Sequence, residues 1–116
     1  TKVTVTGNGK SASADVTVKA YTTASYEVGK TRYKTGGTED NRKPCAGCHE
    51  AAGGADHSPT WLAYYEDSDV LQAIQTAVYA SDKYEVNKGN HKWNLTEPEK
   101  DGIMAYLRGL PPKAFQ

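Results

Sequence analysis

Chemistry in this 116-residue chain concentrates at Cys45-Ala46-Gly47-Cys48-His49. Two thiols three positions apart, followed at once by an imidazole, match the C-x-x-C-H pattern of c-type haem attachment. The spacing has a chemical reason. On a tight turn each thiol can add to one of two vinyl groups on adjacent pyrrole rings. The next residue is then carried beneath the iron, where His49 supplies a ring nitrogen as proximal ligand. Ala46 and Gly47 are small enough to let the turn lie close to a porphyrin. Competing chemistries fit less well. A zinc site needs four ligands at zinc-type Cys/His spacing, and beyond the motif only His57 and His91 remain to supply it. A redox dithiol wants a βαβ setting, and no apolar strand precedes Cys45. With both cysteines taken up as thioethers, none is left for a disulfide.

The rest of the chain must position that motif. Its length allows one compact domain and a modest appendage. Fourteen basic residues cancel fourteen acidic ones, which removes the basic surplus of a nucleic-acid binder. No apolar run approaches a membrane span, and the mean hydropathy is -0.73. One Phe and one Met against eight Tyr and two Trp make a core poor in aliphatics, of the kind that leans on a metal or cofactor. The absence of an initiator Met and of a signal-peptide pattern reads as a mature or excised fragment.

Two zones differ in periodicity. In residues 1–20, Val3 and Val5 alternate with polar residues up to Gly7-Asn8-Gly9, and Ala12, Ala14, Val16 and Val18 alternate beyond it. That is a β-hairpin, either the remnant of a preceding β module or linker, or a decoration docked on the helical zone. Residues 21–116 carry helical signals. A short helix is expected over Ser25–Lys34, and another from Ser58-Pro59 through Trp61, Leu62 and Tyr65. A clearer one is capped by Asp67 or Ser68 and striped with Val70, Leu71, Ile74, Ala77 and Val78. Tyr79 to Asn94 reads as a loop. The last helix opens on the capping box Thr96-Glu97-Pro98-Glu99, carries Ile103, Leu107 and Leu110, and stops at Gly109 and Pro111-Pro112.

Residues from about 24 to 112 resemble a small class I-type cytochrome c domain. Gly29 and Tyr33 match the Gly-x-x-x-aromatic pattern of that family's first helix, and Cys45–His49 come next. Pro59 stands where the family has a proline whose carbonyl accepts a hydrogen bond from the proximal histidine. Asp67 to Leu71 resemble the start of its middle helix. Trp93-Asn94-Leu95-Thr96, Glu99 and the run Ile103 to Pro111 are close to its C-terminal segment. The resemblance implies a mainly α fold around one covalent haem, preceded by the hairpin, with domains at 1–20 and 21–116. The first and last helices would cross, Gly29 permitting close approach and Tyr33 packing near Tyr106.

The chain departs from the family at the sixth iron position. The family's common form has a Met before the Trp-x-x-Leu-Thr segment, and here His91 occupies that slot. Met104, inside the last helix, is the alternative, with an open site, water or His57 behind it. His57 is otherwise expected at the surface or near a propionate. Cys45, Cys48, Pro59, Leu62, Leu71, Ile74 and Trp93 are the expected haem contacts, with Val70 also over the ring faces and Trp61 or Tyr64 as further candidates. Trp93, Tyr79, Arg42 and Lys92 are candidate propionate donors.

An iron with both axial positions filled does outer-sphere electron transfer rather than catalysis, so the expectation is a non-enzymatic electron carrier. Its partners would be a redox donor and acceptor, with a secreted oxidative enzyme as one candidate. The alternative is a haem-based module that binds or senses a small ligand at a displaceable or open sixth site. A peroxidase-like domain lacks a clear acid/base. Attachment of this kind implies a bacterial periplasmic or extracellular setting, and a monomer is expected. Lys83, Lys88 and Lys92 form either a solvated loop or a docking patch.

Overall fold

A computed structural model describes residues 2–37, 43–52, 54, 56–79, 84–85 and 91–112. Strands β1 (Lys2–Gly7) and β2 (Lys10–Asp15) form an antiparallel hairpin. Asn8 and Gly9 both take positive φ, 50° and 72°, as a type I′ turn requires, so the Asn-Gly pair sets the register. Val3 pairs with Ala14 and Val5 with Ala12, which gathers the small apolar residues on one face. That face is open. Every strand residue is exposed, and Val5 and Val18 keep 70% and 72% of their surface. Strand pairing stops at Asp15, so the alternation through Val16 and Val18 does not continue the sheet.

The helices are α1 (Thr23–Thr35), α2 (Ala46–His49), α3 (Pro59–Leu62), α4 (Asp67–Thr76) and α5 (Glu97–Arg108). The expected loop after α4 contains a two-residue ladder, β3 (Val78–Tyr79) with β4 (Tyr84–Glu85). Two of the expected caps differ in detail. Glu66, not Asp67 or Ser68, caps α4. The Ser58 hydroxyl does not cap α3 but donates to Asp56 Oδ2 at 2.9 Å. At α5 the Glu99 carboxylate accepts the Thr96 backbone N–H at 2.8 Å, as the capping box implies.

Helices α1 and α5 pack through a glycine pair. A Cβ on Gly29 would stand 1.7 Å from the Gly102 carbonyl oxygen, and one on Gly102 would stand 2.7 Å from the Gly29 nitrogen. Backbone therefore lies against backbone, a distance only glycine at both positions allows. Tyr33, 3% exposed, tilts against Tyr106 at 5.1 Å, and Tyr106 against Tyr26 at 5.4 Å. Tyr33, Leu62, Leu95, Ile103, Tyr106 and Leu107 form the buried core. Met104 is fully buried in α5 but outside that cluster.

A polar clamp ties the other elements to α5. Arg108 donates to the Leu62 and Tyr65 carbonyls at 2.5 and 2.6 Å and to Asp67 Oδ1 at 3.1 Å. Tyr21 Oη donates to Asp67 Oδ2 at 2.6 Å, and Lys19 to Asp101 at 3.1 Å, so the hairpin's exit strand is anchored where it meets the helices. Burial pulls the Asp67 carboxyl up, but hydrogen bonds from Tyr21 and Arg108 outweigh it and hold the group below its ordinary value. Among the described residues no helix is long and apolar enough to cross a membrane.

Candidate functional site

The motif folds as the four-residue α2, with Cys45 at its N-cap and His49 as its last residue. Cys48 and His49 amide groups both turn back to the Cys45 carbonyl, at 3.1 and 3.0 Å, which places two thiols and an imidazole on one tight turn. Both cysteines are free, Cys45 half-buried and Cys48 exposed. Burial pushes the Cys45 thiol up, with the Arg32 charge pulling the other way.

Three imidazoles gather around this turn. His57 stacks on His49 with ring centroids 3.7 Å apart and planes 28° from parallel. His91 stands 6.1 Å from His49, its plane at 77° to it. Trp93 meets His91 edge-on at 4.6 Å. Beyond His57, Tyr33 Oη lies 3.4 Å from His57 Nδ1, so the rings connect the α1–α5 crossing to the motif.

The end of α4 holds the 91–93 segment. Carbonyls in the last turn of a helix have acceptor capacity left over, and two of them are met here. His91 Nδ1 lies 3.1 Å from the Ala73 carbonyl, and the Trp93 backbone N–H donates to the Ile74 carbonyl at 3.1 Å. A carbonyl oxygen only accepts, so Nδ1 carries the proton and Nε2 of the neutral ring presents a lone pair. The Trp93 indole N–H donates to the Lys43 carbonyl at 3.3 Å, which occupies the donor that a propionate would use.

Of the expected contacts, Leu62 is buried in the core, and Cys45, Val70, Leu71, Ile74 and Trp93 pack against it half-buried. Pro59 is the first residue of α3, directly after the turn that carries His57. Trp61 and Tyr64, the further candidates for haem cover, are 53% and 70% exposed and paired edge-on with each other at 6.4 Å. His57, expected at the surface or near a propionate, is half-buried against His49. Lys92 is exposed. Arg42, Lys83, Lys88 and the Tyr79 side chain lie outside the described residues.

Two features carry little signal in the sequence. Arg32 is 3% exposed, its Nε 3.1 Å from Glu99 Oε1 off the N–H axis, and among the described residues none of its guanidinium nitrogens has an aligned acceptor. Its neighbour Tyr33 faces the core, and nothing in the pattern announces that Arg32 does too. The His57–His49 stack goes with the close return of Gly54 to α2, where a Cβ on Gly54 would stand 2.4 Å from the Cys48 carbonyl. The Asp-x-Ser spacing of Asp56 and Ser58 is the one local sign of that turn. Among the described residues no group of three or more His, Cys, Asp or Glu side chains is arranged to hold a metal ion by itself. Comparison with protein-family models, with curated proteins and with solved structures returned no match.

Proposed function

We propose that residues 21–116 form a c-type cytochrome domain that carries single electrons between redox partners. The observation that carries this reading is the His49–His91 pair beside two free thiols. A metal–imidazole bond is about 2.0–2.1 Å long, and the ring centroid lies about 1.1 Å further on, so two imidazoles sharing one metal have centroids roughly 6.3 Å apart. The observed separation is 6.1 Å. His57 stacks on the face of His49, whereas a ligand bond leaves in the ring plane, so the stack does not compete for the His49 lone pair. His91 is tautomer-fixed by the Ala73 carbonyl, the arrangement typical of metal-binding histidines.

Cys45 and Cys48 would hold the haem by thioether bonds, with His49 and His91 as axial ligands. Leu62, Leu71, Ile74 and Trp93 would exclude water from it, and Pro59 would follow its proximal turn. The group supplies a ferric/ferrous couple when bound. The chain's part would be to fix the His49 and His91 imidazoles, keep water from the group and lower its potential relative to a His/Met site, since imidazole favours ferric iron. We place the protein in a bacterial periplasm or outside the cell, where thioether attachment of this kind is completed, with redox proteins as its partners.

Denaturing electrophoresis with haem staining tests the attachment. The stain should migrate with the polypeptide, and the intact mass should exceed that of the bare chain by one haem. Haem extracted by acidified organic solvent overturns the reading. Ligation is tested by His91→Ala, which should give a high-spin form that binds carbon monoxide after reduction, while Met104→Leu should leave the spectrum unchanged. The opposite pattern would assign the sixth position to Met104. A wild-type reduced protein that itself binds carbon monoxide readily would favour the ligand-sensing alternative.

A further inference from the structure

We infer that His57 is a positioning residue that holds the His49 ring crossed against His91, an assignment that rests on the electron-carrier reading above. The two candidate ligand planes stand 77° apart, and each is held from its own side. His91 is fixed by the Ala73 carbonyl at the end of α4 and by Trp93 against its edge. His49 has a flat neighbour instead. The His57 ring lies 3.7 Å from it at 28°, close enough that rotating His49 about its ligand bond would drive its edge into His57.

His57 is itself restrained. Its backbone sits in a turn where Asp56 accepts the Ser58 amide at 2.8 Å and the Ser58 hydroxyl at 2.9 Å, with Ser58 3% exposed. Its Nδ1 lies 3.4 Å from the hydroxyl of Tyr33, which the α1–α5 crossing buries. The orientation of His49 is thereby referred to the buried α1–α5 crossing, and not left to a four-residue helix.

Ring orientation matters electronically. Each imidazole overlaps one of two nearly degenerate iron d orbitals through its π system. Parallel planes act on the same orbital and split the pair, giving a rhombic ferric low-spin signal. Crossed planes act on one each and keep the pair close, giving a highly anisotropic signal. With haem bound, His57 would favour the second case by holding the His49 plane where it stands.

The test is electron paramagnetic resonance of the ferric holoprotein, with haem stain and optical spectrum recorded on each variant. Wild type should give the highly anisotropic signal. His57→Ala should convert it wholly or in part to a rhombic one while haem stays covalently bound and low-spin. His57→Phe, which keeps a flat face but no ring nitrogen, should retain the wild-type signal. Should little His57→Ala holoprotein accumulate, His57→Leu fills the space without a flat face and is read in the same way. An unchanged signal in His57→Ala or His57→Leu, or equal loss in His57→Phe, overturns the assignment while leaving the electron-carrier reading intact. Wild-type protein without covalent haem overturns both.

Discussion

Gly29→Ala probes the joint on which the whole arrangement hangs. The added methyl carbon would stand 1.7 Å from the Gly102 carbonyl oxygen, 2.1 Å from its carbon and 2.7 Å from the Ile103 nitrogen. Carbon–oxygen contacts settle at about 3.3 Å or more, so the helices must part by roughly 1.5 Å. All three atoms are backbone, so no rotamer change can relieve the clash. A gap of 0.5–1 Å already forfeits about a quarter to a half of the dispersion well, and the Tyr33–Tyr106 and Tyr26–Tyr106 contacts lie on the same interface. Overpacking of this kind costs about 3 kcal/mol or more, the upper end of its range. The better helix propensity of alanine offsets about 1 kcal/mol. The net loss of about 2 kcal/mol corresponds to a fall in Tm of roughly 10 °C for a domain of this size. Thermal unfolding followed by circular dichroism measures it, with Gly7→Ala as the control, since nothing lies within 4 Å of a Cβ there. A Gly29→Ala protein that melts within about 2 °C of wild type would refute the close-crossing argument.

Three other outcomes rest on the same contacts. Asp67→Asn should cost about 1–2 kcal/mol at neutral pH, because charge-assisted bonds from Arg108 and Tyr21 are weakened at a half-exposed site. The folded Asp67 carboxyl titrates below its ordinary value of about 3.9, so that stabilisation is present above this pH and is lost as pH falls through the lower folded value. Urea melts of wild type and variant should therefore converge in acid, and a gap independent of pH would contradict the clamp. Arg32→Met should change stability by no more than about 1 kcal/mol in either direction, since a buried guanidinium without aligned acceptors contributes little net; a loss near 3 kcal/mol, also read by urea melts, would show that the Glu99 pair matters more. Deleting residues 1–20 should leave the visible spectrum intact and lower Tm by a few degrees at most, because Lys19 is more than half exposed and its ion pairs contribute at most about 1 kcal/mol.

How much the sequence disclosed depends on how local each signal is. The hairpin register comes from Asn8-Gly9, the start of α5 from Thr96 and Glu99, and the motif turn from five contiguous residues. Gly29 and Tyr33 were legible as the contact face of α1, but Gly102, which must be small for the same reason, stands among ordinary helical residues. Trp61 and Tyr64 look like core residues by type. They are nevertheless exposed on either side of Leu62, whose carbonyl accepts from the Arg108 guanidinium 46 residues away. Composition could not show that either. The burial of Arg32 and the stacking of His57 are tertiary events, set by where Glu99 of α5 and the turn at Asp56–Ser58 come to rest.

The proposed ligand pair shows why aiming is harder to read than chemistry. His49 is written into its motif, whereas His91 takes its role from a helix end 18 residues earlier. Helix α4 stops because Ala77 takes a left-handed φ of 62°, with its amide bonded back to the Ala73 carbonyl. The carbonyls of this final turn point along the axis toward the incoming 91–93 segment, which docks on those of Ala73 and Ile74. The negative end of the helix dipole then sits beside the His91 Nδ1–H, favouring the proton there and enriching the electron density of Nε2. A longer α4 would direct the Ile74 carbonyl to a further helical amide and take away the Trp93 bond that seats His91 beside the Ala73 carbonyl. His91, the proposed second ligand, therefore depends on where α4 ends as well as on the histidine itself.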